Sequence, residues 1–69
     1  MTPERFRECL TLMNWPQRGF ASMVDRAEGT VRQWARGKVI VPADVASWLE
    51  KVAAFMAANP VPVRQRVEA

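Results

Sequence analysis

The sequence predicts an all-α fold, a compact domain of four helices. Apolar residues recur at three- and four-residue spacing in four separate segments, which gathers them on single helical faces. No stretch of useful length alternates apolar and polar residues as a half-buried strand does. Proline, asparagine and glycine stand between the segments, where helices start and stop. On this pattern residues 1–59 form one domain. Residues 60–69, PVPVRQRVEA, form a flexible tail with two prolines in three positions.

The first helix opens at Thr2-Pro3-Glu4, with Thr2 as N-cap, Pro3 in the first turn and an acid where the helix dipole favours it. Phe6, Cys9, Leu10 and Met13 form its apolar stripe, Asn14 is a left-handed terminator, and Pro16 bars continuation. A shorter second helix is expected from about Pro16 to Val24, burying Phe20 and Val24, with Ala21 small enough for close helix approach. After the turn Asp25-Arg26, a third helix runs from about Ala27 to Arg36 and Gly37 ends it. Lys38–Val41 is irregular. Pro42 then opens the longest helix, with Asp44 in its first turn and an apolar face of Val45, Trp48, Leu49, Val52, Phe55 and Met56, until Asn59-Pro60 stops it.

A chain of 69 residues, 49% hydrophobic and 25% charged, has the balance of one globular domain with a modest core. The single cysteine, Cys9, makes no internal disulfide and reads as a small buried hydrophobe. The absence of histidine leaves no metal-binding cluster, so no metal or cofactor is expected. No apolar run approaches about 18 residues, so no membrane span is expected, and the charged start MTPERFRECL lacks the core of a signal peptide. A cytoplasmic location is the resulting expectation. Catalysis is poorly served: there is no histidine or tyrosine, Cys9 has no candidate base, and Glu4 and Glu8 share an exposed helical face.

The net charge of +3 is unevenly spread. Between residues 17 and 38, Arg18, Arg26, Arg32, Arg36 and Lys38 outnumber Asp25 and Glu28, whereas acids and bases balance elsewhere. The whole excess therefore sits on one segment, the footprint expected of a face that meets a polyanion. Within it, GTVRQWARGK (residues 29–38) puts Val31, Trp34 and Ala35 on one helical face, and the helix turns Gly29, Arg32, Gln33 and Arg36, with the preceding Ala27 and Glu28, away from it.

Two short helices joined by a tight turn make a helix-turn-helix unit. Gln17, Phe20-Ala21, Thr30-Val31, Trp34 and Gly37-Lys38 stand where the phage-repressor or Xre-like family carries its Gln, hydrophobic-Ala, Thr-Val, Trp and Gly-Lys. The chain resembles that family over about residues 2–58, including VPADVASWL of the fourth helix. Small regulators of phages and mobile elements, such as autorepressors beside anti-CRISPR genes, are the nearest type. Departures lie in the turn and caps: Asp25 replaces the family's glycine, Arg26 a hydrophobic residue, Ala27 the serine cap of the third helix, and Pro16 the cap of the second.

The resemblance implies a lambda-repressor-like domain that binds double-stranded DNA through its third helix, since the major groove admits an α-helix. Glu28, Arg32 and Gln33 are then the candidate base readers, because Glu accepts from cytosine, Arg bonds guanine and Gln bonds adenine. Gln17, Thr30, Arg36 and Lys38 are the candidate phosphate contacts. An alternative is an ordinary solvated face, with Glu28 and Arg32 forming an intrahelical pair at i, i+4.

Phe20, Val31, Trp34 and Trp48 are expected in the core. The apolar content of the fourth helix and tail, where Val61 and Val63 add to Trp48, Phe55 and Met56, exceeds what so small a core needs. It marks a candidate homodimer interface at Trp48, Phe55 and Met56, in keeping with a repressor on an inverted-repeat operator. No small-molecule ligand is evident. The alternative function is a protein-binding module of antitoxin or anti-activator type that uses the fourth helix.

Overall fold

The structure, a computed structural model, describes residues 1–62. Four helices follow in chain order: α1 (Pro3–Leu12), α2 (Gln17–Met23), α3 (Glu28–Arg36) and α4 (Ala43–Ala58). No strand occurs among the described residues. The architecture is thus the all-α, four-helix domain that periodicity predicts. Residues 63–69, with Val63, Arg64 and Arg66 of the expected tail, lie outside the described residues.

The helix ends show why the chain breaks where it does. Thr2 Oγ1 accepts from the Arg5 N–H at 3.0 Å, so α1 has a side-chain cap as well as Pro3 in its first turn. Asn14 and Asp25 take positive φ of 56° and 54°, and Gly37 takes 77°. After each, the next amide returns to a carbonyl five residues back: Trp15 to Leu10 at 2.8 Å, Arg26 to Ala21 at 2.9 Å and Lys38 to Gln33 at 3.0 Å. Three consecutive helices therefore end in one left-handed motif, which satisfies carbonyls that the helix leaves open. Gly37 is held to glycine twice over, because a Cβ there would sit 2.9 Å from the Pro3 ring in addition to the backbone strain. By contrast, Pro16, Ala27 and Pro42 give α2, α3 and α4 no side-chain cap.

The core joins Phe6, Cys9, Leu10 and Met13 of α1 to Phe20 and Ala21 of α2, Val31, Trp34 and Ala35 of α3, and Val45, Leu49 and Ala53 of α4, with Val41 from the loop. Phe6 stands at its centre. It meets Phe20 edge to face at 5.7 Å and Trp34 at 6.0 Å with an 89° interplanar angle, the arrangement aromatic quadrupoles favour. Burial also pushes the Cys9 thiol above its ordinary range, which suits a packing residue and not a nucleophile.

Two core expectations need correction. Val24 is half-buried because α2 ends at Met23 and leaves Val24 in the turn; Ala21 takes the second buried place. Trp48 is not in the core but 43% exposed, since α4 presents a wider apolar face than its neighbours cover. Its indole instead stacks on Trp15 at 5.9 Å and 9°, and Trp15 stacks in turn on Phe20. Sequence periodicity also passes over Ala53 and Val41, both buried.

Polar contacts fasten α1 to its neighbours. The Arg5 guanidinium bonds both carboxylate oxygens of Glu50 on α4, with Nη2 to Oε1 at 2.8 Å, and it also holds Glu8. Arg7 donates to the Ala35 carbonyl in the last turn of α3, where the helix dipole favours a cation. No helix among the described residues is long and apolar enough to cross a membrane.

Trp34 is 1% exposed, and its Nε1–H has no hydrogen-bond partner. Trp34→Ala is expected to cost about 3–5 kcal/mol, most of the stability of a domain this small. Trp34→Phe, which keeps a ring and deletes the orphan donor, is expected to cost clearly less. Thermal melts of the two variants test this order, and an unchanged melting temperature for Trp34→Ala would remove the indole from the core.

A second expectation concerns acid. The hydrogen bonds from Arg5 hold the Glu50 carboxyl below its ordinary value of 4.5. The stability gained from this pair is therefore fully present above 4.5 and is lost as pH falls through the lower, folded-state value. The difference in melting temperature between the parent and Glu50→Gln should be open at neutral pH and close under acid. A gap that persists well below 4.5 would show that the pair carries no proton linkage.

Candidate nucleic-acid interface

α2 and α3 are joined by the turn Val24–Ala27 and pack against each other through Phe20, Ala21, Val31 and Trp34. At the turn, Asp25 adopts the left-handed geometry that its short side chain tolerates. Arg26, which stands at the resemblance's hydrophobic position, donates from Nη1 to the Val24 carbonyl at 3.0 Å and so helps close the turn.

With Val31, Trp34 and Ala35 buried, the opposite face of α3 is set by helical geometry. Ala27, Glu28, Gly29, Arg32, Gln33 and Arg36 are all exposed, as the spacing predicts. Ala27 makes no side-chain cap, so the first amides of α3 receive no side-chain acceptor from the N-cap residue. Gln33 and Arg36 stand on this face clear of any hydrogen bond or ion pair from their side chains among the described residues.

Glu28 is differently placed. Its Oε1 lies 3.6 Å from Arg32 Nη2 on the next turn, and its Oε2 lies 3.8 Å from Arg18 Nε on α2. The intrahelical pair weighed from the sequence is therefore present, and it is extended across the turn by Arg18. Exposed pairs of this length contribute about 0.2–1 kcal/mol or less to stability. Their interest lies in orientation, since they bring the guanidiniums of two helices to one carboxylate.

The candidate phosphate contacts are spread around this face. Thr30 is half-buried in the first turn of α3, Arg36 is exposed in its last turn, and Lys38 is exposed just past Gly37. Gln17 opens α2 and is half-buried. It lines an open groove of about 630 Å³ with Arg7, Leu10, Thr11, Asn14, Trp15 and Pro16. The structure thus gathers Glu28 and Arg32 on one face, leaves Gln33, Arg36 and Lys38 along the same helix and its exit, and sets Gln17 at the α1–α2 groove.

Sequence reasoning missed two contributors. Arg18 was visible only as one of five basic residues in the segment; its approach to Glu28 depends on how the turn folds. Arg7, which ties α1 to the end of α3, has no local signal because its acceptor lies 28 residues away.

Of the candidate dimer residues, Phe55 is 64% exposed and Trp48 is half-covered by Trp15, while Met56 is partly buried against the core. Trp48 also lines a smaller groove of about 310 Å³ with Met23, Val24, Arg26, Asp44 and Val45. No group of three His, Cys, Asp or Glu side chains that could hold a metal occurs among the described residues. No protein-family model, curated protein or solved structure matches the chain.

Proposed function

We propose that the chain is a sequence-specific DNA-binding transcriptional regulator, a repressor that reads an inverted-repeat operator as a homodimer. The observation that carries this reading is the face of α3: polar, basic and exposed on a helix whose other side is locked into the core by Val31, Trp34 and Ala35. A rigidly mounted helix can enter the major groove without first being ordered, and that groove distinguishes all four base pairs. Arg32 and Gln33 are the base readers in this scheme, joined by Glu28. Gln17, Thr30, Arg36 and Lys38 fix register on the phosphates. The concentration of positive charge in residues 17–38 supports the same face.

A second reading is favoured by the exposed aromatic surface of α4. Trp48 and Phe55 would serve equally in a protein-binding module, in which α3 is only a solvated face. Selection of duplexes from a randomised pool separates the two. Recovery of a preferred inverted repeat supports the regulator, and failure to enrich any sequence passes the function to the α4 surface.

Arg32→Ala and Gln33→Ala are expected to stay within about 0.5 kcal/mol of parent stability, as exposed substitutions do. Each should weaken binding to the selected duplex by about 1–3 kcal/mol and relax preference at particular base pairs. Lys38→Ala should instead weaken all duplexes alike and flatten the salt dependence by about one unit of slope, because a phosphate contact releases a counterion wherever the protein sits. Parent-like binding by Arg32→Ala and Gln33→Ala would refute the α3 reading.

A nine-residue helix reads few base pairs, so affinity and specificity call for two half-sites about one DNA turn apart. Phe55, exposed on α4, is proposed to seat the partner copy. Phe55→Ser should leave the melting temperature of the monomer unchanged while shifting light scattering from dimer to monomer. A parent chain that is monomeric both free and on DNA would end the dimer proposal.

A further inference from the structure

The placement of Glu28 is at odds with simple attraction of DNA. A carboxylate in the first turn of α3 occupies the end of the helix that otherwise draws phosphate, and the dipole stabilises it there. It also faces two guanidiniums, Arg32 on its own helix and Arg18 on α2. Arg18 has a side chain 85% exposed, which leaves it free to seek phosphate wherever Glu28 does not hold it.

We propose that Glu28 is a specificity-determining residue that works by suppressing non-specific DNA binding. This inference rests on the DNA-binding reading above. On a duplex of arbitrary sequence, a phosphate brought to Arg18 or Arg32 meets the Glu28 carboxylate only a few ångströms away, and the ion pairs compete with the phosphate for the same donors. Binding by backbone charge alone is weakened. On a sequence that presents a cytosine amino group to Glu28, the carboxylate keeps a donor while Arg32 turns to its own base. The repulsive element is then offset at the right site and left standing at all others, which is how discrimination is built from an unfavourable contact.

Glu28→Gln removes the charge and keeps the shape. The measurement is affinity and salt slope for a random-sequence duplex and for the duplex selected by the parent protein. The control is Glu8→Gln, which changes the net charge equally on α1, where Arg5 retains its second partner Glu50. Glu28→Gln should bind the random duplex about 10-fold tighter than the Glu8→Gln control, with a salt slope steeper by one to two, about one for each guanidinium released. The ratio of selected to random affinity should fall. Adding Arg18→Gln to Glu28→Gln should take back about one unit of that slope.

Equal affinities of Glu28→Gln and Glu8→Gln for the random duplex would overturn the proposal while leaving the DNA reading intact. A parent chain that binds no duplex at low salt would overturn both, and the two failures are read from different proteins. Circular dichroism of Glu28→Gln confirms that an exposed substitution has left the helices in place.

Discussion

Everything outward on this molecule depends on the edge-to-face contacts that Phe6 makes with Phe20 and Trp34. The chain has no disulfide among the described residues and a core of only modest size, so its helices hold their angles by side-chain shape alone. α3 shows the dependence most clearly. It has nine residues, glycine in its first turn and no side-chain cap, and a helix that short does not persist in water by itself. Trp34, Val31 and Ala35 supply what propensity does not, and by fixing one face of α3 they fix the direction of the other. From Phe20 the aromatic contacts continue through Trp15 to Trp48, so α4 is reached from the same centre.

The layout of helices was legible because the residues that end them are chemically distinctive. Asn14 and Gly37 announce left-handed turns by residue type, and both adopt them. Asp25 announces one less strongly, yet it takes the same geometry with the same returning amide, so the α2–α3 turn closes without glycine. What the pattern left open was how much of each apolar face a neighbour covers. Trp48 lies on the stripe of Val45 and Leu49, and periodicity alone assigns all three to the core. Coverage is a property of the packed neighbours: Leu49 and Ala53 are buried in the shared core, while Trp48 stacks on Trp15 and stays 43% exposed.

The candidate interface divides the same way. Exposure of Arg32, Gln33 and Arg36 follows from a 3.6-residue repeat, and so does the pairing of Glu28 with Arg32. The contacts that shape the face from outside α3 do not follow from any local rule. Arg18 reaches Glu28 across a turn, Arg7 reaches the Ala35 carbonyl from α1, and Arg5 finds Glu50 at a separation of 45 residues. Each needs two elements to be in place before the charges can meet. Arg5 and Arg7 are thus bound to the fold's own acceptors, while Arg18, its side chain 85% exposed, meets Glu28 at the surface.

That division bears on how a small basic chain can be selective. Net charge of +3 attracts any polyanion, and attraction of that kind carries no sequence information. The structure spends part of its positive charge on internal bonds: Arg5 on Glu8 and Glu50, Arg7 on the end of α3, Arg26 on its own turn, Arg18 and Arg32 on Glu28. These bonds leave the net charge unchanged but fix where Arg5, Arg7, Arg26, Arg18 and Arg32 stand, while Gln33 and Arg36 stay exposed on a face whose direction is set by a buried tryptophan. If α3 meets DNA as proposed, a helix presented in that manner gains more from matching a groove than from lying on a backbone. The physical case for a reader of sequence therefore rests less on how much positive charge the chain carries than on how firmly the uncommitted part of it is aimed.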